Sequence, residues 1–125
     1  MTRIAELSNQ RWFTADFRAR RPDILTGTTR SLLQQSPEFH AGMWEMISVL
    51  ELEAQLATIS CPTLVVAGEL DINAPPAAAK QIADAVPGSQ IRVMPGLGHF
   101  PPFEAVEEFN QVLSEFIDAV EASVG

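Results

Sequence analysis

The chain has a single cysteine, Cys61, so it can form no internal disulfide. Cations are scarce: 8 Lys and Arg stand against 16 Asp and Glu, a formal net charge of −8. That balance argues against nucleic acid and against an anionic membrane surface as partners. No apolar stretch is long enough to span a bilayer, and no signal or transit peptide is recognisable, so a soluble cytoplasmic protein is expected. Histidine occurs only as His40 and His99. Neither stands at a metal-ligand spacing from the carboxylates or the cysteine, so no metal and no cofactor is expected. Gly96-Leu97-Gly98 lacks the third glycine of a dinucleotide-binding turn.

What the chain does have is apolar content. At 46% hydrophobic and 19% charged residues it reads as globular, not disordered. Its 125 residues suit one modest domain. The clearest pattern is Pro62-Thr63-Leu64-Val65-Val66-Ala67-Gly68, then Glu69-Leu70-Asp71. A β-branched run opened by proline and closed by glycine reads as a parallel strand buried on both faces. Gln90–Met94 is a second short strand, delivered into a glycine-rich turn that holds His99. Between them a helix runs through Val86, with Ala78, Ile82, Ala85 and Val86 inward, and Pro87-Gly88 stops it. A final helix, about Val106 to Val120, buries Val106, Phe109, Leu113, Phe116, Ile117 and Val120 along one stripe.

In an open α/β sheet, ligands bind beyond the carboxyl ends of the strands. Asp71 and His99 stand at two such ends, separated by what one helix and one strand require. Alone, Asp71 is as readily a helix-capping or loop aspartate and His99 a loop histidine. Together they suit a carboxylate that fixes a histidine's tautomer and stabilises its cation. Glu69 is the rival carboxylate and reads as a solvated loop residue.

The first half shows no strand pattern. Thr14-Ala15-Asp16 and Pro22-Asp23 look like helix starts, and Ile24, Thr28, Leu32 and Leu33 form an apolar stripe. Ser36-Pro37-Glu38 opens another helix carrying Phe39, Met43, Ile47 and Leu50, with Trp44 beside them. Six arginines fall in the first thirty residues and read as a solvated basic face. Trp12, His40 and Trp44 are candidates for lining a small-molecule pocket, against plain core for the other apolar residues.

These residues reach a family. Ile59 to Ile117, with strand, acid, helix, strand, Gly-His and final helix, resembles the last third of an α/β-hydrolase. Gln10-Arg11-Trp12-Phe13-Thr14, Phe17-Arg18-Ala19-Arg20, Ser36-Pro37-Glu38 and Cys61-Pro62-Thr63-Leu64 resemble the lid and following strand of bacterial 3-oxoadipate enol-lactonases. The likeness implies an α/β fold with a helical lid at residues 1–57 and the last two strands and helices of the hydrolase sheet at residues 58–125. It implies Asp71 as the triad acid, His99 as the general base, and ester or lactone hydrolysis. After His99 the chain reads Phe103-Glu104-Ala105-Val106, where relatives carry a Glu-Gln-Pro run.

No serine sits in a nucleophile elbow, and Cys61 lies at the wrong end of its strand for the Asp71–His99 site. Cys61 instead suits a small buried hydrophobe. Two strands leave sheet edges bare, so self-association or a second chain completing the sheet is expected. The other readings are a non-catalytic half-hydrolase that dimerises as an interaction module, and half of a hydrolase-like cyclase.

Overall fold

The computed structural model describes residues 1–124. Five helices come first: α1 (Thr2–Trp12), α2 (Ala15–Arg20), α3 (Pro22–Leu33), α4 (Pro37–Ser48) and the single turn α5 (Glu53–Leu56). Then follow β1 (Leu64–Gly68), α6 (Pro76–Ala85), β2 (Gln90–Met94), α7 (Pro101–Glu104) and α8 (Val106–Val124). The helix starts follow local chemistry. The side chains of Thr14 and Ser36 accept from the backbone N–H groups of Phe17 and Phe39 at 3.3 and 3.0 Å. Pro22, Pro37 and Pro76 occupy first turns, where a missing N–H costs nothing.

The two strands are parallel, with Leu64 opposite Gln90 and Gly68 opposite Met94, and α6 makes the crossover. The Gln90 N–H donates to the Thr63 carbonyl and the Glu69 N–H to the Met94 carbonyl, both at 2.9 Å. Odd-numbered residues of β1 therefore face β2. Leu64 and Val66 turn their backbone groups to the opposite edge, where no described strand lies.

The buried apolar residues form two groups. Ala5, Phe13, Phe17 and Leu32 lie among α1, α2 and α3, while Ala67 and Met94 belong to the two strands and Ala79 and Val86 to α6 and its C-cap. Aromatic rings carry the first group on toward α7: Phe13 lies 5.6 Å from Phe100, and Phe100 lies 5.9 Å from Phe103. A polar cluster ties α1 to α3. Buried Asn9 donates to Thr29 Oγ1 at 2.8 Å and accepts from the Thr28 hydroxyl at 2.6 Å.

Several expected burials fail for one physical reason. An apolar stripe is buried only where another element covers it, and here much is uncovered. Leu64, Val65 and Val66 in β1 are half-buried, not enclosed. On α8, Val106, Leu113 and Ile117 are exposed, and Phe109, Phe116 and Val120 only half-buried. Ile82 on α6, Leu33 on α3, and Phe39, Trp44 and Ile47 on α4 are exposed as well, as is Leu50 just beyond it. Cys61 is exposed too, at the rim of an open cavity between the entrance to β1 and α8. No helix among the described residues is long and apolar enough to cross a membrane.

Replacing Asn9 with alanine removes its bonds to the hydroxyls of Thr28 and Thr29, leaving Thr28 only its 3.1 Å bond to the Leu25 carbonyl. The Asn9→Ala variant is expected to lose about 1–3 kcal/mol in chemical denaturation. A loss below about 0.5 kcal/mol, the size of a surface substitution, would mean the cluster does not hold α1 on α3.

Candidate active site

The strands deliver two loops to one place. From β1 the chain turns at Gly68, and Asp71 follows with its N–H donating to the Gly68 carbonyl at 3.2 Å. From β2 it passes Pro95, Gly96 and Leu97 to reach Gly98 and His99. The loops can meet because Gly68 and Gly98 have no side chains. A Cβ on Gly68 would overlap the carbonyl oxygens of Gly98 and Leu97. One on Gly98 would lie 2.6 Å from Glu104 Oε1 and 2.9 Å from the Trp12 carbonyl oxygen.

Where the loops meet, His99 Nδ1 lies 2.7 Å from Asp71 Oδ2. A carboxylate can only accept, so Nδ1 carries the proton and donates. Nε2 takes no hydrogen bond from the described residues, and the imidazole is about one third exposed (31%) while the Asp71 side chain is nearly enclosed (5%). Asp71 Oδ1 accepts from the backbone N–H groups of Asn73 at 2.8 Å and Ala74 at 3.1 Å. Burial pushes the Asp71 carboxyl up, but the hydrogen bond from His99 and those from Ala74 and Asn73 together hold it below its ordinary value. A buried carboxylate kept ionised against a histidine whose other nitrogen is open suits general-base chemistry.

Glu69 is engaged elsewhere. Its carboxylate accepts the Gly96 N–H at 2.8 Å, so it braces the turn before His99.

The bend between α1 and α2 closes the site from a third side. The His99 N–H donates to the Trp12 carbonyl at 2.8 Å. Arg11 Nε donates to Asn73 Oδ1 at 2.8 Å, and Asn73 Nδ2 returns a bond to the Arg11 carbonyl at 3.0 Å. Arg18 Nη1 holds the carbonyls of Gln10 and Phe13 at 2.9 and 2.8 Å, a cation on the C-terminal carbonyls of α1. Two members of the arginine-rich stretch are therefore structural, which charge counting could not distinguish from a solvated face.

Of the candidate pocket residues, Trp12 alone stands near the histidine. Its ring meets Phe100 edge-on at 5.3 Å, and Phe100 lies 5.0 Å from the His99 ring. Trp12 also lines a cavity of about 470 Å³ with Ile24, Leu32 and Phe103. His40 and Trp44 pair with each other on α4 at 3.1 Å and line no part of that cavity. Among the described residues, no three His, Cys, Asp or Glu side chains converge as a metal site would need.

No family model matches the chain. Among curated proteins, it is 29% identical over 113 residues to 3-oxoadipate enol-lactonase 2 of Acinetobacter baylyi, covering 90% of this chain and 42% of that protein. Among solved structures, the enol-lactonase from Burkholderia xenovorans superposes with a TM-score of 0.88 at 27% identity, over 94% of this chain and 45% of that one. A thermophilic esterase from Thermogutta terrifontis gives 0.82 at 30% identity, over 94% and 43%.

The chain has the fold of the C-terminal part of an α/β-hydrolase. Its relatives are ester and lactone hydrolases, and it spans less than half the length of the curated relatives it matches. In this hydrolase segment β1 and β2 are the two parallel strands, and α6 is the crossover between them. Sequence reading missed Glu104, Asn73, Arg11 and Arg18 as supports of the two loops. Their only signal is charge or an amide in a loop, which is common at solvated positions.

Asp71 is depressed in the folded state, so the sign of its pH effect is fixed. Well above its ordinary value of 3.8, the carboxyl is ionised folded or unfolded, and its contribution to stability is complete. As pH falls through that value the unfolded chain takes up the proton first, and stability is lost until folded Asp71 also protonates. Denaturation midpoints measured down through this range should fall more steeply for the parent than for Asp71→Asn. Parallel slopes would show that Asp71 is not held ionised by its neighbours.

Proposed function

We propose that the chain contributes Asp71 as acid and His99 as base to a hydrolytic site for an ester or lactone. The nucleophile and the oxyanion donors would come from sequence outside these 125 residues, in the same polypeptide or another. The observation that carries this reading is the 2.7 Å contact between a buried Asp71 and a histidine whose Nε2 is open. In the reaction, Nε2 would accept the proton of the nucleophile as the nucleophile attacks the carbonyl carbon. Asp71 stabilises the imidazolium through Nδ1–H. Nε2 then returns the proton to the departing alkoxide, which for a lactone stays tethered to the acyl group. Water repeats the sequence and releases the acid.

The likeness to enol-lactonases and an esterase supports ester or lactone carbonyls as the substrate class. Residues 1–57 would act as the lid; Asp71 and His99 line a cavity of about 170 Å³ with Pro101 and residues of β1 and α6, while the larger cavity beside Trp12 is not lined by His99. The completing segment would also pair with the bare edge of β1 and cover the exposed stripe of α8. The same bare surfaces favour a second reading, in which copies of the chain associate with each other as an interaction module without catalysis.

Joining the chain to a hydrolase N-terminal half that bears a nucleophile elbow, and following aryl-ester turnover, tests the first reading. His99→Ala should lower turnover about 10³-fold or more while leaving the assembly's mass by light scattering unchanged. Turnover within about tenfold of the parent would remove His99 as the base. A chain that forms a stable dimer alone, and neither accepts the N-terminal half nor turns over ester, would favour the interaction module.

A further inference from the structure

We propose that Glu104 is a positioning residue for His99: it holds Gly98 against the α1–α2 bend, so that the imidazole stays aligned on Asp71. The proposal rests on the reading of His99 as the base. Glu104 ends the four-residue helix α7, a place where a carboxylate is ordinarily solvated. Here it is half-buried and both of its oxygens are in use. Oε1 accepts the Gly98 N–H at 3.0 Å and approaches the Thr14 N–H at 3.4 Å. Oε2 accepts the Thr14 hydroxyl at 2.5 Å and its N–H at 3.3 Å.

The connection runs on in both directions. Thr14 uses the same hydroxyl oxygen to accept the Phe17 N–H, so the carboxylate is tied to the cap of α2. Toward the site, the N–H of Gly98 is held by Glu104 and the N–H of His99, one residue on, by the Trp12 carbonyl. The peptides on both sides of Gly98, which lead into the histidine, are therefore held. Glu104 stands so close to Gly98 that any side chain there would strike it. A carboxylate has the acceptors for these donors, whereas an amide in its place would turn an N–H₂ group toward at least one of them. A displacement of the order of an ångström at a catalytic group is enough to cost about 100-fold in rate, so the clamp bears on function as well as on folding.

The test reads His99 directly, in the full 125-residue chain, by proton and nitrogen NMR of its imidazole; His40→Ala removes the only other histidine signal. The parent should show a slowly exchanging Hδ1 resonance from the bond to Asp71. In Glu104→Gln and in Thr14→Val that proton should exchange at least about tenfold faster, while Thr14→Ser, which keeps the hydroxyl, should restore the parent rate. Methyl shifts of Leu64 and Val86, at the ends of β1 and α6 away from Gly68, report whether each variant is folded. If Glu104→Gln does not fold, Thr14→Val decides. Exchange within about twofold of the parent in the folded variants would overturn the proposal, as would unfolding of both, since the residues would then serve the fold alone. A parent with no protected Hδ1 resonance would instead bring down the Asp71–His99 pairing, and the reading of the site with it.

Discussion

The structure turns on a close approach of backbone at Gly98. Four segments converge there: the end of β1 at Gly68, the α1–α2 bend at Trp12 and Thr14, the turn bearing Leu97 and His99, and Glu104 from α7. None can move far without disturbing the others, because the spaces that side chains would fill are occupied by carbonyl oxygens and a carboxylate. The Asp71–His99 hydrogen bond is a consequence of this crowding. Two loops with their own freedom would not hold an imidazole and a carboxylate at bonding distance, because each ordered residue costs about 1–2 kcal/mol of backbone entropy. The crowded backbone meets that cost through many small contacts.

Away from this point the chain is loosely covered. Leu113 and Ile117 on α8, and Phe39, Trp44 and Ile47 on α4, stand exposed, and one edge of β1 is unpaired. Fully burying a side chain of this size stabilises a fold by about 1.5–3 kcal/mol, and the net stability of a domain is only about 5–15 kcal/mol. A handful of uncovered apolar side chains is therefore a deficit comparable with the whole stability. These bare surfaces lie on α8, which is strongly amphipathic, and on α4, which is less so.

This explains what was legible in the sequence and what was not. The strands, the crossover helix and the final helix were readable because each rests on a local rule: β-branched runs, 3.6-residue periodicity, proline and glycine at boundaries. Asp71 and His99 stood out as residues beyond strand ends, and their roles as acid and base were what the resemblance to α/β-hydrolases implied. Burial was misread along α8 and β1 because periodicity says which face is apolar, not whether anything covers it. Cys61 was misread for the same reason. The supports of the site lay outside local rules altogether. Asn9 finds its partners on α3, Asn73 finds Arg11, and Glu104 finds Thr14, each far away in sequence. Polar residues in loops and on short helices are normally solvated, so nothing in their own neighbourhood marks them.

That contrast bears on how the site is built. Asp71 and His99 occupy strand ends, where the sheet fixes backbone direction, and so their placement is written into the strand pattern. What the sheet does not fix is the last ångström and the ring orientation. Those depend on hydrogen bonds from elements that belong to the helical segment, on the other side of the site. The helices preceding β1 take a direct part in this: through Trp12, Thr14 and Arg11 they complete the mould in which the two loops set. A change in how those helices sit would be felt at His99 before it was felt anywhere in the sheet. Displacing those helices would remove the Trp12 and Thr14 contacts that hold the loop bearing His99.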